Sequence, residues 1–219
     1  MSKSATAGAT NETGHDEADL PEPGEPRPIS ARTMGWLLVV LGAIGFLASA
    51  DLTIERYLTL VDPDHALSCT LSVFVDCGPA MGSWQGSLLG FPNPLLGIAG
   101  FSVVITSGVV VLAGARLPRW YWLALLGGTT LALALVVFLV WTSLYALVRL
   151  CPWCMVVWAV VLPLFWYQVV HAVQEGWLPA SAGVRRTLVR NRHLFLAIGY
   201  VALVAWVLLV MGQYIVSSL

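Results

Sequence analysis

Charge is scarce in this chain, because only 11% of its 219 residues are Asp, Glu, Lys or Arg. Soluble domains carry about 25% charged residues, so soluble globular classes are excluded, and 58% of the residues here are hydrophobic. The net charge is −1, which gives no reason to expect a nucleic acid as a partner. The composition therefore predicts an integral membrane protein in contact with the lipid bilayer.

The N-terminal 30 residues contain almost no large apolar side chains, but they hold six of the twelve acidic residues and four of the twelve prolines. Such a segment cannot bury enough surface to offset the entropy of ordering it. We therefore predict a disordered, acidic, Pro-rich cytoplasmic tail over residues 1–32. A basic segment leading into an early apolar run is also missing, which excludes a signal peptide. The first hydrophobic run, beginning near Met34, is expected to remain as a membrane anchor.

Long apolar runs are abundant instead. A spanning helix needs about 20 mostly apolar residues, and five runs qualify: roughly residues 34–58, 94–114, 119–146, 152–172 and 194–216. Pro163 is expected to kink the fourth helix without ending it. After the tail, we predict a four-helix unit at residues 33–172, which carries an outer loop at residues 60–92. A basic cytoplasmic loop follows at residues 173–193, and a fifth helix at residues 194–219.

The basic residues are placed very unevenly among the loops. Nine of the eleven Lys and Arg residues fall on one side of the predicted spans, and only Arg56 and Arg149 fall on the other. Lys and Arg concentrate on the cytoplasmic side of membrane proteins. The N-terminus is therefore predicted to be cytoplasmic, and the C-terminus and the loop at 60–92 extracytoplasmic.

Cysteine is also rare, with four residues that form two pairs along the chain, Cys69 with Cys77 and Cys151 with Cys154. The predicted orientation puts all four on the outer side, where disulfides form and persist. Pro152 suits the first position of a helix, which makes Cys151 the cap and puts Cys154 about one turn in. A helix N-terminus stabilises a thiolate and lowers its pKa.

Several kinds of site are compatible with a Cys-x-x-Cys pair. Covalent haem is excluded because Met155 follows where His is required. A four-cysteine zinc site is compatible with the count, although no His flanks either pair, and two inert structural disulfides are the plain alternative. A redox dithiol is favoured, because one pair on a loop and one at a helix start suit relay by thiol–disulfide exchange. We expect no metal site.

Other polar residues near the cysteines are given a modest role. Asp51 and Glu55 share a helical face and are expected to be a solvated helix end, and His65 a solvated loop residue. The segment GSWQGSLLGF suits a short helix lying on the bilayer. Asn93 can cap the second span, with Pro94 at its first position.

The order of these motifs resembles the vitamin K epoxide reductase family, in particular its bacterial members. The resemblance covers about residues 34–172, and three features carry it. They are a loop pair followed by a membrane CxxC, a serine six residues after the second loop cysteine (Ser83), and FPNPLLGIAGF at the start of the second span. It implies an all-α integral membrane fold, with a four-helix catalytic bundle around a quinone, capped by the first outer loop, plus a fifth transmembrane helix. It also implies an oxidoreductase of the bacterial inner (plasma) membrane that supports disulfide-bond formation in exported proteins.

In that family, bacterial members reoxidise a periplasmic thioredoxin-fold oxidase of the DsbA type and pass the electrons to a membrane quinone. By resemblance, Cys69 and Cys77 take electrons from that partner, Cys77 exchanges with Cys151, and Cys154 faces the quinone, either menaquinone or ubiquinone. Direct exchange is expected to require a movement of the loop that brings Cys77 to Cys151. Many relatives carry a fused thioredoxin-like domain, and this chain stops at Leu219, so a separate partner is expected.

The resemblance also assigns residues around the quinone. Ser83 matches the family's loop serine, and Asn93 matches the asparagine proposed to hydrogen-bond a quinone carbonyl. Trp158 stands where the animal enzymes carry a tyrosine, and its indole N–H can still donate a hydrogen bond.

Two other functions compete with this assignment. A DsbB-type oxidase does the same work, but its CxxC lies in the first outer loop and its wider pair in the second, the reverse of the order here. The alternative from another class is a scaffold or transporter with structural disulfides. Against it, the spans carry almost no buried ionisable residues, which transport pathways usually show.

Overall fold

The computed structural model describes residues 28–217 except 63, 71, 73 and 74, so that most of the predicted tail, residues 1–27, lies outside them. In these residues seven α-helices follow one another: α1 Ala31–Val61, α2 Gly78–Gly82, α3 Asn93–Leu112, α4 Arg119–Trp141, α5 Pro152–Gln174, α6 Ala182–Arg190 and α7 Arg192–Ser217. A 3₁₀ turn at Trp84–Ser87 follows α2, and a π-helical segment at Thr142–Leu147 continues α4. Within the described part every regular element is helical, and five helices are long and apolar enough to cross a membrane. The predicted all-α membrane fold is confirmed.

The start of α1 is fixed by local and distant contacts. Ser30 caps the helix, since its Oγ accepts a hydrogen bond from the Thr33 N–H at 3.1 Å. Ile29 is buried, and its backbone exchanges two hydrogen bonds with the Gln174 side chain at the end of α5. The helix therefore begins at Ala31 and includes the last two residues of the predicted tail.

Small residues allow α1 and α3 to pack closely. A Cβ atom on Gly108 of α3 would lie 2.8 Å from the Gly35 carbonyl oxygen and 2.9 Å from the Leu38 Cβ of α1. Close approach of helix backbones through small residues is a common way of packing in membranes. α1 also packs on α5, and α5 on α4. α3 and α4 thus stand on opposite sides of a gap, which forms the main cavity of the bundle.

The remaining long helices, α5 and α7, agree with the spans predicted from the sequence. Pro163 lies inside α5 without ending it, as predicted. α7 is attached to the bundle by hydrogen bonds from the Trp166 indole to the Arg192 carbonyl at 2.8 Å and from the Trp206 indole to the Tyr145 hydroxyl at 3.2 Å. The basic segment predicted as a loop at 173–193 differs from expectation, because it contains the short helix α6.

Candidate functional site

All four cysteines meet at one end of the bundle. Cys69 and Cys77 are joined by a disulfide, and Cys151 and Cys154 are free thiols. The Cys151 thiol lies 3.2 Å from the Cys77 sulfur, and both residues are fully buried. The expectation that the loop has to move to bring Cys77 to Cys151 was wrong, because the two pairs are already in contact.

A short stretch of paired backbone brings the two sulfurs together. The N–H of Asp76 donates to the Leu150 carbonyl at 3.0 Å, and Val75 pairs with Leu150 as an isolated parallel bridge. The residue before Cys77 is therefore bonded to the residue before Cys151. This contact joins positions 74 residues apart, so no local pattern in the sequence reveals it.

The chain reaches Leu150 through an irregular segment. After the π-helical residues Thr142–Leu147, Val148 adopts a left-handed conformation with φ 50° and ψ 40°. This conformation is unusual for a β-branched residue, and π-helical turns occur frequently at functional sites. The Arg149 N–H then donates to the Ser143 carbonyl at 3.1 Å. The segment ends the third span and directs the chain toward the cysteine cluster.

Cys151 is the cap of α5, and Pro152 lies in its first turn, as the sequence predicted. The Cys154 N–H lies 3.4 Å from the Cys151 sulfur. A hydrogen bond from the Cys154 thiol lowers the pKa of Cys151, and the N–H groups of Cys154 and Trp153 lower it further, whereas burial and the negative charge of Asp76 act in the opposite direction. The lowered pKa favours the thiolate of Cys151, which is the form that attacks a disulfide and the form that leaves when a disulfide is broken.

A cavity of about 730 Å³ extends from Cys154 along the gap between α3 and α4. Its walls are almost entirely apolar, and its size falls in the range of about 300–1,000 Å³ that is typical of small-molecule sites. The four sequence-predicted residues that line it are Ser83, Asn93, Cys154 and Trp158. The arrangement suits a lipid-soluble ligand whose reactive end lies beside the free Cys154 thiol.

The polar residues at the mouth of the cavity are held by the loop. Ser83 caps the 3₁₀ turn, donating to the Ala80 carbonyl and accepting from the Gly86 N–H. The Asn93 amide donates to the Gln85 carbonyl at 2.7 Å and accepts from the Leu88 N–H at 3.2 Å.

One expectation about this region differs from the structure. Asn93 is the first residue of α3 and makes no capping hydrogen bond, because its side chain is directed to the preceding loop. The segment expected to form a short helix on the bilayer contains the 3₁₀ turn Trp84–Ser87, and its Trp84 ring packs on Phe138 of α4 with centroids 6.5 Å apart. The loop therefore covers the mouth of the cavity.

Glu55 and His65 are the functional candidates that sequence reasoning undervalued. Glu55 is buried and accepts hydrogen bonds from the hydroxyl and the N–H of Ser68, and its other carboxylate oxygen lies 3.3 Å from the His65 Nε2. Ser68 directly precedes Cys69, so this cluster anchors the loop to α1 beside the disulfide. The prediction of a solvated helix end and a solvated histidine was wrong for this pair. The only sequence signal was their proximity to Cys69.

No group of three or more His, Cys, Asp or Glu side chains in the described part of the chain could hold a metal ion. In comparisons with known proteins, a family model described as the vitamin K epoxide reductase family matches residues 36–169, a range that includes all four cysteines. No curated protein matches the chain.

Proposed function

The chain belongs to the vitamin K epoxide reductase family, and we propose that it oxidises an extracytoplasmic protein dithiol and passes the electrons to a membrane quinone. Family membership makes it an oxidoreductase, and its five candidate spans make it a multi-pass membrane protein. The proposed donor is a periplasmic DsbA-like thioredoxin-fold protein, and the proposed setting is the inner membrane of a bacterium. The observation that carries the proposal is the 3.2 Å contact between the sulfurs of Cys77 and Cys151.

The exchange between the pairs can be written as two displacements. A Cys77 thiolate attacks Cys151 in a Cys151–Cys154 disulfide, so that a Cys77–Cys151 bond forms and Cys154 leaves as a thiolate. Cys69 then attacks Cys77, the Cys69–Cys77 bond forms, and Cys151 leaves. The lowered pKa of Cys151 favours this second step, because a thiol of lower pKa is a better leaving group.

The direction of electron flow follows from where the cysteines lie. Ser68 and Thr70 on either side of Cys69 are exposed, whereas Cys77 is fully buried. A partner protein therefore reaches the loop pair at Cys69, and its dithiol reduces the Cys69–Cys77 disulfide. Cys77 passes the electrons inward to Cys151. The proposed cycle passes through a stage at which the loop pair is oxidised and the inner pair is reduced, and the Cys69–Cys77 disulfide beside free Cys151 and Cys154 thiols is compatible with that stage.

The cavity residues fit a quinone. The Cys151–Cys154 dithiol would supply two electrons and two protons to a quinone held there, which would then leave as quinol. The apolar walls suit its ring and hydrophobic chain, and Cys154 lies at one end. An amide carries two N–H groups, and the hydrogen bond from Asn93 to Gln85 uses one of them, so the other is proposed to bind a quinone carbonyl. Trp158 forms part of the wall beside Cys154, and Ser83 shapes the mouth.

Quinone reduction by the purified protein tests this function directly. With dithiothreitol as the dithiol and short-chain ubiquinone or menaquinone as acceptor, we expect quinol to form at a rate that requires Cys151 and Cys154. Cys151→Ala should reduce that rate to the uncatalysed level. Normal quinol formation by Cys151→Ala would exclude the mechanism and favour a scaffold with structural disulfides.

A trapping experiment tests the contact between the pairs. In the variant Cys69→Ser, Cys154→Ser, the resolving partner of each pair is missing, so a Cys77–Cys151 disulfide should accumulate on mild oxidation. Mass spectrometry of the digested protein identifies the bond. If no bond between Cys77 and Cys151 forms under any oxidant, the relay is wrong and the loop pair is a structural clamp.

A further inference from the structure

The side chain of Asp76 contacts the residues that follow both loop cysteines. Its Oδ1 accepts a hydrogen bond from the Thr70 hydroxyl at 2.8 Å and another from the Gly78 N–H at 3.0 Å. Thr70 follows Cys69, and Gly78 follows Cys77. A single carboxylate oxygen therefore connects the two ends of the disulfide-bonded segment.

The backbone of the same residue contacts the inner pair. The Asp76 N–H donates to the Leu150 carbonyl at 3.0 Å, and Leu150 precedes Cys151. The segment between the loop cysteines has little other regular structure in its described part, where Ser72 and Val75 form one isolated bridge. Asp76 is therefore the residue at which the loop pair and the inner pair are joined.

We infer that Asp76 is a positioning residue for the disulfide exchange, which holds the Cys77 sulfur against the Cys151 sulfur through its hydrogen bonds to Thr70, Gly78 and Leu150. This inference rests on the relay proposed above. Exchange requires the attacking sulfur to lie close to the attacked sulfur in the correct direction, and small misplacements of reacting groups slow reactions strongly. Without the carboxylate, the segment around Cys77 loses both hydrogen bonds that the Asp76 side chain makes, to Thr70 and to Gly78.

The charge of Asp76 has a separate effect on the same step. The titratable groups that face Cys151 are Cys154, which contacts it, and Asp76, whose negative charge raises the pKa of Cys151. The Cys77 sulfur also contacts Cys151, and it is a free thiol only where the Cys69–Cys77 disulfide is absent, as in the trapping variant. Asn at position 76 keeps the oxygen that accepts both hydrogen bonds and removes the charge, whereas Ala removes the oxygen and the charge. The two substitutions therefore separate positioning from electrostatics.

The test uses the full-length trapping variant Cys69→Ser, Cys154→Ser as the parent. The rate of Cys77–Cys151 disulfide formation is measured by mass spectrometry across a range of pH for the parent and for Asp76→Asn, Asp76→Ala and Asp64→Ala added to it. Asp64 is an exposed aspartate of the same loop and serves as the matched control. We expect Asp76→Ala to slow the reaction on the order of tenfold to a hundredfold, and Asp76→Asn and Asp64→Ala to stay close to the parent.

The pH profile gives a readout that a purely structural role would not change. Since Asn and Ala both remove the negative charge, both should lower the pKa of Cys151 and move the midpoint of the rate profile to lower pH, whereas Asp64→Ala should not. Thr70→Val, which removes one donor and leaves Asp76 in place, should give a smaller loss of rate. This variant also tests the inference if Asp76→Ala does not fold.

Failure of the inference and failure of the relay are distinguishable. A parent that forms no Cys77–Cys151 bond overturns the relay itself. A parent that forms the bond, with Asp76→Ala and Thr70→Val as fast as Asp64→Ala, overturns the role of Asp76 alone. An Asp76→Asn variant as slow as Asp76→Ala also overturns it, because the hydrogen bonds would then be unimportant and only the charge would matter.

Discussion

Glu55 lies at the boundary between a membrane helix and a loop, and its carboxylate fixes that loop in place. Hydrogen bonds to charged groups contribute about 1.5–3 kcal/mol each, and Glu55 accepts two from Ser68 while pairing with His65. A buried carboxylate with these partners holds the backbone beside Cys69. The position of the outer disulfide thus depends on a residue 14 positions earlier in the chain.

We therefore predict that Glu55→Ala lowers the free energy of unfolding by about 1.5–3 kcal/mol, measured by denaturant unfolding in detergent and followed by circular dichroism. The exposed Glu175 at the other end of the bundle provides the control, and Glu175→Ala should change stability by less than about 0.5 kcal/mol. Ser68→Ala combined with Glu55→Ala should cost less than the sum of the two single changes, because they remove the same bonds. Equal small losses for Glu55→Ala and Glu175→Ala would contradict the anchoring role.

The reactivity of Cys151 depends on its neighbour in the CxxC. The hydrogen bond from Cys154 is the largest cause of the lowered pKa of Cys151, and it favours the thiolate form. Removing the donor should raise that pKa, so the thiolate fraction near neutral pH should fall.

This pH dependence can be measured when Cys151 is the only thiol, in a background with Cys69→Ser and Cys77→Ser. Position 154 then carries Ser, whose hydroxyl still donates, or Ala, which has no donor. We predict that the thiolate absorbance of Cys151 appears at higher pH with Ala than with Ser. Coincident titration curves would show that the backbone N–H groups, and not the Cys154 side chain, control the pKa.

At the scale of helices, the close packing of α1 on α3 determines the shape of the cavity. α3 contacts α1 through glycines and, apart from the hydrogen bond between Ser107 and Tyr121, faces α4 across the cavity. Any widening of the α1–α3 interface therefore pushes α3 into the cavity. Gly108 is the clearest test, because an added Cβ would meet the Gly35 carbonyl oxygen and the Leu38 Cβ of α1 at 2.8 and 2.9 Å. These atoms cannot rotate away as the end of a long side chain can.

We predict that Gly108→Ala costs about 1–3 kcal/mol, the usual penalty for overpacking, and lowers the thermal midpoint of the protein in detergent. Gly100→Ala on the same helix is the matched control, because a Cβ there meets nothing within 4 Å. A Gly108→Ala variant as stable as Gly100→Ala would show that the two helices separate without cost.

For the whole molecule, the orientation in the membrane is the main prediction that the charge distribution makes. We predict that the cysteine cluster faces outward and the loop before α6 faces the cytoplasm. Two exposed serines, Ser72 and Ser181, lie on the two sides, and each can be changed to Cys in a chain whose four native cysteines are Ser. A membrane-impermeant maleimide added to intact cells should label Ser72→Cys, and should label Ser181→Cys only after the membrane is opened. The reverse pattern would invert the topology.

The sequence predicts those parts of the molecule that depend on local composition. Apolar runs of sufficient length gave the five spans, and Pro152 beside Cys151 gave the helix start. Contacts between distant residues were not predictable, because Glu55 meets Ser68 and Asp76 meets Leu150 only after the loop folds over the bundle. The left-handed Val148 was not predictable either, since a β-branched residue gives no signal for that conformation.

The burial of the sulfurs also decides which molecules can exchange electrons with this protein. Cys77 and Cys151 have no exposed surface, and Cys69 is 4% exposed, so free thiols in the surroundings have almost no collision surface on the sulfurs. Small reductants and oxidants at low concentration therefore reach these sulfurs only slowly, whereas the high concentrations used in an assay still react with them. In the proposed relay, a protein partner reaches the disulfide through the loop around Cys69, and a lipid-soluble acceptor takes the electrons within the bilayer. Burial of the sulfurs thus restricts which molecules can exchange electrons with them, and this restriction is as important to the enzyme as the reactivity of its thiols.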